Sequence, residues 1–106
     1  MFARHITLWL KPNVAKEFPA RFEREILPLL KKQKGFVNEL LLFTPDKKEV
    51  VAISLWEKKE DAEIYRRGLY PKIENMMEEF IEGVPVIKNY EAEYSTIHKI
   101  AFAAVG

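Results

Sequence analysis

The chain has 106 residues, of which 48% are hydrophobic and 31% charged, and it has no cysteine. That is the length of a single domain, and the lack of cysteine excludes a disulfide scaffold and a thiolate metal site. With 17 basic and 16 acidic residues the formal charge is +1, which gives no electrostatic reason to expect nucleic acid or an acidic partner.

The first residues, Met1 to His5, lack the basic-then-apolar run of a secretory signal. No stretch approaches the ~18 apolar residues of a membrane span, so no membrane partner and a cytoplasmic location are expected. Residues 1–106 read as one domain, with a core over 2–96 and an apolar tail over 97–106.

Phe2 to Leu10 reads as a strand closed by Lys11-Pro12. Asn13 is a candidate helix cap. Val14, Phe18, Phe22, Ile26 and Leu30 then recur at steps of four, one apolar stripe at helical period. Pro19 suits the first turn of that helix, and Pro28 should bend it. Gly35 suits its end. Phe36 to Phe43 and Glu49 to Trp56 are two more strands, joined as a hairpin by the turn at 44–48. Lys58 to Arg67 is a short polar helix ended by Gly68, and Pro71 opens another. In that last helix Ile73, Met76, Met77, Phe80 and Ile81 fall on one face, and Gly83 ends it. Val84 to about Thr96 is the final strand, with Pro85 near its start.

The order β-α-β-β-α-α-β is an α+β, ferredoxin-like split βαβ plan with a four-stranded antiparallel sheet. Helices cover one face of such a sheet, so the other face should be polar at alternate positions. It is not. In the first strand Ala3 and Trp9 oppose Phe2, Ile6, Leu8 and Leu10; in the second, Val37, Leu41 and Phe43 oppose Phe36, Leu40 and Leu42; in the third, Val51, Ile53 and Leu55 oppose Val50, Ala52 and Trp56. Something must cover the second apolar face. The expected cover is a second copy, giving a two-fold homodimer through sheet faces with Leu8 and Leu40 at the contact.

With these residues the plan resembles the antibiotic biosynthesis monooxygenase (ABM) family of dimeric α+β barrels. The matching pieces are Lys34-Gly35-Phe36, the run Val51 to Glu57, and the charged segment Lys58-Lys59-Glu60-Asp61 leading into a helix. The resemblance spans about residues 2–96 and implies the dimeric barrel fold. It further implies a cofactor-independent monooxygenase acting on a small aromatic or quinone-like molecule. The haem-degrading branch of the superfamily carries an Asn, a Trp and a His whose positions here fall on His5, Tyr65 and Asn75. All three identities differ, so haem is not expected as a cofactor.

The residues offer few other chemistries. His5 and His98 lie near opposite ends of the chain and no metal-ligand spacing is present, so no metal is expected. There is no nucleophile elbow, and Ser54 and Ser95 read as packing residues on strands. Four scattered glycines exclude a phosphate loop. An RNA-recognition domain uses the same plan, but Glu49 to Trp56 has no Lys or Arg and one aromatic, against nucleic-acid binding.

A pocket between sheet and helices remains. On the family alignment the side of the first strand bearing His5, Thr7 and Trp9 faces the helices, with Tyr65 and Asn75 above it. There His5 is the candidate base, near its ordinary pKa of ~6.5, and Tyr65 or Asn75 would hydrogen-bond a phenolic or carbonyl oxygen. Trp9, Phe22, Met76 and Phe80 would form apolar walls. Each has a plainer reading: a satisfied strand histidine for His5, packing for the others. The competing function is a non-catalytic dimeric small-molecule-binding or interaction module.

Overall fold

The computed structural model describes residues 1–97, so the expectation for the tail falls almost wholly outside the described residues. Four strands, β1 (Phe2–Leu10), β2 (Phe36–Phe43), β3 (Glu49–Trp56) and β4 (Ile81–Glu91), form one sheet in the order β2-β3-β1-β4. Every neighbouring pair is antiparallel. The helices are α1, α2 (Lys59–Arg67) and α3 (Tyr70–Met77). This is the split βαβ topology expected from the order of elements.

Helix α1 is one helix with a fault in it. It runs as Phe18–Arg21, a single π turn over Phe22–Ile26, and Leu27–Lys31. Pro28 has no amide hydrogen for the carbonyl four residues back, so the ladder must slip near it. It slips just ahead, where the Leu27 amide donates to the Phe22 carbonyl, five residues back. The bend expected at Pro28 therefore takes the form of a π turn. Asn13 caps nothing: it lies inside a 3₁₀ turn over Pro12–Val14 whose cap position is Lys11.

Phe18, Phe22, Ile26 and Leu30 of α1 bury against the sheet with Tyr65 of α2 and Ile73 and Met77 of α3. From the sheet come Phe2, Ile6, Leu8 and Leu10 of β1 and Val50 and Trp56 of β3. Leu8 is thus a core residue beneath the helices, 1% exposed, which corrects its expected place at a sheet-to-sheet contact. Leu40 does lie on the far face and is 49% exposed.

Two glycines hold backbone that other residues resist. Gly35, between α1 and β2, has φ +78°, and an added Cβ would run into the Asp61 side chain of α2. Its carbonyl accepts the Glu57 amide at 2.8 Å, so the α2 entry is pinned to this glycine. Gly83, at φ +72°, does not end a helix as expected. The helical turn ends at Phe80 and β4 begins at Ile81, three residues earlier than expected. Thr7 pairs with Val86 and Trp9 with Glu82, so Gly83, Val84 and Pro85 all stand opposite Leu8. A bulge of this kind needs a left-handed residue, and Pro85 is tolerated there because β4 is an edge strand.

Candidate functional site

Strand pairing fixes which side chains share a face, because directly paired residues point the same way. On β1 the even positions face the helices, as Ile6, Leu8 and Leu10 show by joining the core. His5, Thr7 and Trp9 therefore lie on the opposite, outer face. This corrects the expected pocket. The His5 ring meets Tyr90 of β4 edge-on at 6.0 Å, and Trp9 lines an outer depression with Lys47, Lys48 and Glu82. A shift of one residue along a strand exchanges the two faces, so a family correspondence on β1 that is off by one puts His5, Thr7 and Trp9 on the wrong side.

Of the other expected residues, Tyr65 and Phe22 do line the space between sheet and helices. Met76 and Phe80 line a neighbouring cleft between α1 and α3, which also touches Phe22 and Ile26. Asn75 is exposed and lines a surface hollow with Glu74, Glu78 and Pro85, away from Tyr65. Tyr65 and Asn75 are thus not brought together.

The helix-side interior carries polar residues that the sequence reading passed over. Glu39 pairs with Ser54, Ser54 with Arg4, and Arg4 with Asn89. One row across all four strands is therefore polar; Glu39, Ser54 and Arg4 lie beneath the helices, and Asn89, on the edge strand, is exposed. The rows beside it are apolar: Leu41, Ala52, Ile6 and Ile87 on one side, Phe36, Trp56 and Phe2 on the other.

Each member of the row has a distinct environment. Ser54 is buried, and its Oγ accepts the Trp56 Nε1–H at 2.9 Å. The Trp56 ring stacks on Tyr65 at 4.8 Å, and Tyr65 meets Tyr70 at 6.0 Å. The Arg4 guanidinium lies over the face of Tyr70, 4.4 Å from its centre, a favourable cation–π placement. Arg4 is 3% exposed, yet its Nε and Nη2 have no well-formed hydrogen bond, and the Tyr70 hydroxyl has Arg4 as its neighbour. Glu39 is partly buried and lines the chamber with Ser54, Tyr65, Tyr70 and Met77. Burial away from water pushes its carboxyl up from 4.5 to about 8. Burial likewise raises the Tyr65 and Tyr70 phenols, so both stay neutral donors. The free space between these groups is about 20 Å³, room for about one water molecule.

The sequence did carry a signal for this row. Arg4 interrupts the apolar alternation Phe2, Ile6, Leu8 and Leu10, and Glu39 interrupts that of Leu41 and Phe43. A charge at a core-facing parity is rare unless it has work to do.

No family model matches the chain, and no curated protein matches it. Solved structures do. A chain from Nitrosomonas europaea, provisionally assigned as an antibiotic biosynthesis monooxygenase, superposes with TM-score 0.74 at 14% identity, over 89% of this chain and 100% of that one. A monooxygenase from the ActVA-Orf6 gene of Streptomyces coelicolor, in complex with nanaomycin D, gives 0.70 at 14%, over 92% of each. A variant of MhuD with two manganese protoporphyrin IX molecules per active site gives 0.73 at 13%, over 91% of this chain and 98% of that one. The chain has the ABM fold. The resemblance read from Lys34-Gly35-Phe36 and from the run Val51 to Glu57 thus holds at the level of architecture. At such identities the likeness extends to the fold alone.

The porphyrin complex poses a question of fit. Among the described residues the helix-side chamber offers no imidazole, because His5 is on the outer face. Its oxygen groups are Ser54, Glu39, and Tyr65 and Tyr70, both held neutral by burial. That set does not fit an axially ligated haem. Among the described residues no three His, Asp or Glu side chains converge as a metal site, and no helix is long and apolar enough to cross a membrane.

Proposed function

We propose that the chain is a cofactor-independent, monooxygenase-like protein whose reaction chamber is the helix-side space above the row Glu39–Ser54–Arg4. The observation that carries this reading is Glu39: a carboxyl poised near neutrality that lines, with Ser54, Tyr65 and Tyr70, an otherwise apolar, aromatic-walled interior, with the Arg4 guanidinium buried against Tyr70. The fold it shares with the nanaomycin-bound monooxygenase supports the same reading.

The substrate class is a small aromatic phenol whose para carbon carries hydrogen. Glu39, ionised, takes the phenolic proton; a base with a pKa near the working pH is well matched to that task. The electron-rich phenolate then gives one electron to dioxygen. The resulting radical pair joins at the ring carbon para to the oxygen, forming a C–O bond and a hydroperoxide. The para C–H bond and the O–O bond then break, and the second oxygen leaves as water. A phenol and one O₂ thus give a para-quinone and one H₂O: the ring is oxidised by four electrons, and dioxygen accepts all four. Arg4 stabilises the anion as it forms, the Tyr65 and Tyr70 rings orient the ring plane, and the apolar walls exclude water.

A second reading rests on the size of the chamber. Its free space of about 20 Å³ requires side chains to move before any aromatic molecule enters, which favours a non-catalytic module that opens only for its ligand. Oxygen uptake separates the two. Metal-stripped protein without flavin is given a panel of naphthols with a free para position on an oxygen electrode, with quinone followed by absorbance. The enzyme reading expects uptake matched to quinone, lost by ~10²–10⁴-fold in Glu39→Gln and kept in His5→Ala. Ligand binding without uptake would leave the binding module.

The outer face belongs to the same proposal. Trp9, Leu40, Leu42, Val86 and Tyr90 are all substantially exposed there, beside Val51, Ile53 and Leu55 of β3. A monomer rarely leaves so continuous an apolar surface wet. A second copy of the chain, packed face to face, covers it by symmetry.

A further inference from the structure

The chamber above the sheet has about 20 Å³ of free space, so an aromatic molecule enters only if a wall moves. A second void, of about 10 Å³, lies at the seam between α1 and α3, bounded by Met76 and Phe80 and by the partly exposed Arg21 and Glu25. Phe22 and Ile26 line both voids, so one layer of side chains separates them. These two are the first and last residues of the π turn. The dividing wall is thus carried by the segment of α1 whose hydrogen-bond register has slipped, and π turns of this kind recur at functional sites. Met76 lines the outer void and Met77 the inner one, and both are unbranched side chains that repack easily. Among the described residues one ion pair joins the two sides of the seam. Arg21, which also pairs with Glu25 on its own helix, donates through Nη2 to Glu79 Oε1 at 3.0 Å, in the turn that follows α3. Its guanidinium lies over the Phe80 ring, 5.2 Å from the centre. The other ion pairs stay within a single helix. An exposed pair of this kind contributes little to stability, so it breaks readily.

We infer that the seam between α1 and α3 is the entrance to the chamber and that Arg21 is its latch. This rests on the chamber being the site proposed above. When Arg21 releases Glu79, the wall of Phe22, Ile26 and Met76 gives way, and the two voids join into one channel that ends at Glu39 and Ser54. The other boundaries are closed more firmly. The floor is sheet, hydrogen-bonded without a gap from β2 through β3 to β1 beneath the chamber. On the α2 side Tyr65 is stacked on Trp56 and packed edge-on against Tyr70. The mouth bears one cation, Arg21, and two carboxylates, Glu25 and Glu79. That balance suits the entry of a neutral phenol, which loses its proton only on reaching Glu39.

The chain has no cysteine, so a single introduced thiol reports access to the chamber. Ala52→Cys places it on the chamber floor. The full chain is treated with methyl methanethiosulfonate, a small neutral reagent, in water and in dilute urea. Labelling is expected to be slow but indifferent to dilute urea, because a local opening exposes little surface, whereas global unfolding responds steeply to it. Arg21→Glu sets a third carboxylate beside Glu25 and Glu79 and should speed labelling ~3–10-fold; the exchange Arg21→Glu, Glu79→Arg should return the rate to within ~2-fold of the parent. Arg66→Glu, which breaks an ion pair on α2 instead, should leave the rate unchanged. Should Ala52→Cys not fold, Met77→Cys puts the thiol on the helix side of the same chamber. Rates that ignore Arg21→Glu, that respond equally to Arg66→Glu, or that rise with urea in step with global unfolding would overturn the inference, as would a thiol never labelled in the folded chain. Labelling that depends on Arg21, with no oxygen uptake from any naphthol, would keep the entrance and sink the oxygenase reading; uptake with labelling blind to Arg21 would do the reverse.

Discussion

Glu39→Gln tests the electrostatics of the chamber without needing a substrate. Glu39 keeps its proton up to about 8 in the folded chain, against 4.5 as its ordinary value. Between those values the folded state binds more protons than the unfolded state, so stability falls as pH rises through this window. Below it both states are protonated and nothing is lost; above it both are ionised and the full cost is present. The shift is about 3.5 pH units, and at ~1.4 kcal/mol per unit the ceiling is ~5 kcal/mol, with ~3 kcal/mol already reached near pH 7. Glu39 keeps some contact with solvent, and screening lowers the expected figure to ~2–3 kcal/mol over the whole window. Glutamine has nearly the same shape and does not titrate. Urea unfolding of both proteins from about pH 4 to about pH 9, read as a difference, cancels every other group. The variant should gain on the parent steadily as pH rises, with an unchanged urea slope. A difference that stays flat would mean that Glu39 is solvated and ordinary. A difference of opposite sign would mean that Glu39 is ion-paired with Arg4. Either result would remove the poised base and the chemistry built on it.

Other changes probe the scaffold. Ser54→Ala strips the buried Trp56 Nε1–H of its acceptor and should cost ~1–3 kcal/mol in urea unfolding, whereas Ser54→Thr keeps the hydroxyl and loses less. Gly35→Ala forces a left-handed alanine and sets its Cβ 2.6 Å from the Cβ of Asp61; a loss of ~2–4 kcal/mol is expected from the strain and the clash together, seen as a lowered melting temperature. Leu8→Asp and Leu40→Asp should part company. The first buries a charge in the core and should yield no folded protein, while the second should keep the circular dichroism spectrum and halve the mass by light scattering. A stable dimer in the double variant Leu40→Asp, Leu42→Asp would refute the face-to-face assembly.

The strands were legible because their signals are local. Phe2–Leu10, Phe36–Phe43 and Glu49–Trp56 are bounded by turn residues, and their structural limits match the expected ones. The start of β4 was not legible, because Gly83 reads as a helix stop when it is in fact a bulge residue. Only the pairing of Thr7 with Val86 and Trp9 with Glu82 distinguishes the two, and pairing is a tertiary fact. Among the site residues, Phe22 was legible because the helical stripe turns it inward, and Tyr65 because the family resemblance places a site residue there. His5, Thr7 and Trp9 were misplaced because β1 is apolar on both sides, so alternation by itself does not say which side meets the helices.

That ambiguity also explains why the polar row escaped notice. In a strand with one wet face, Arg4 and Glu39 would be assigned to solvent at once. Here the outer face is itself strongly apolar, with Leu40, Leu42, Val51, Ile53 and Leu55 on it, while the inner face, apolar elsewhere, carries Arg4, Ser54 and Glu39. A fold selected only for stability would place these residues the other way round, since burying Arg4 without a well-formed hydrogen bond and holding Glu39 near a pKa of 8 both oppose folding. Apolar residues that face outward are explained by a partner surface, and polar residues that face inward by a bound molecule. The two faces therefore point to two different occupants.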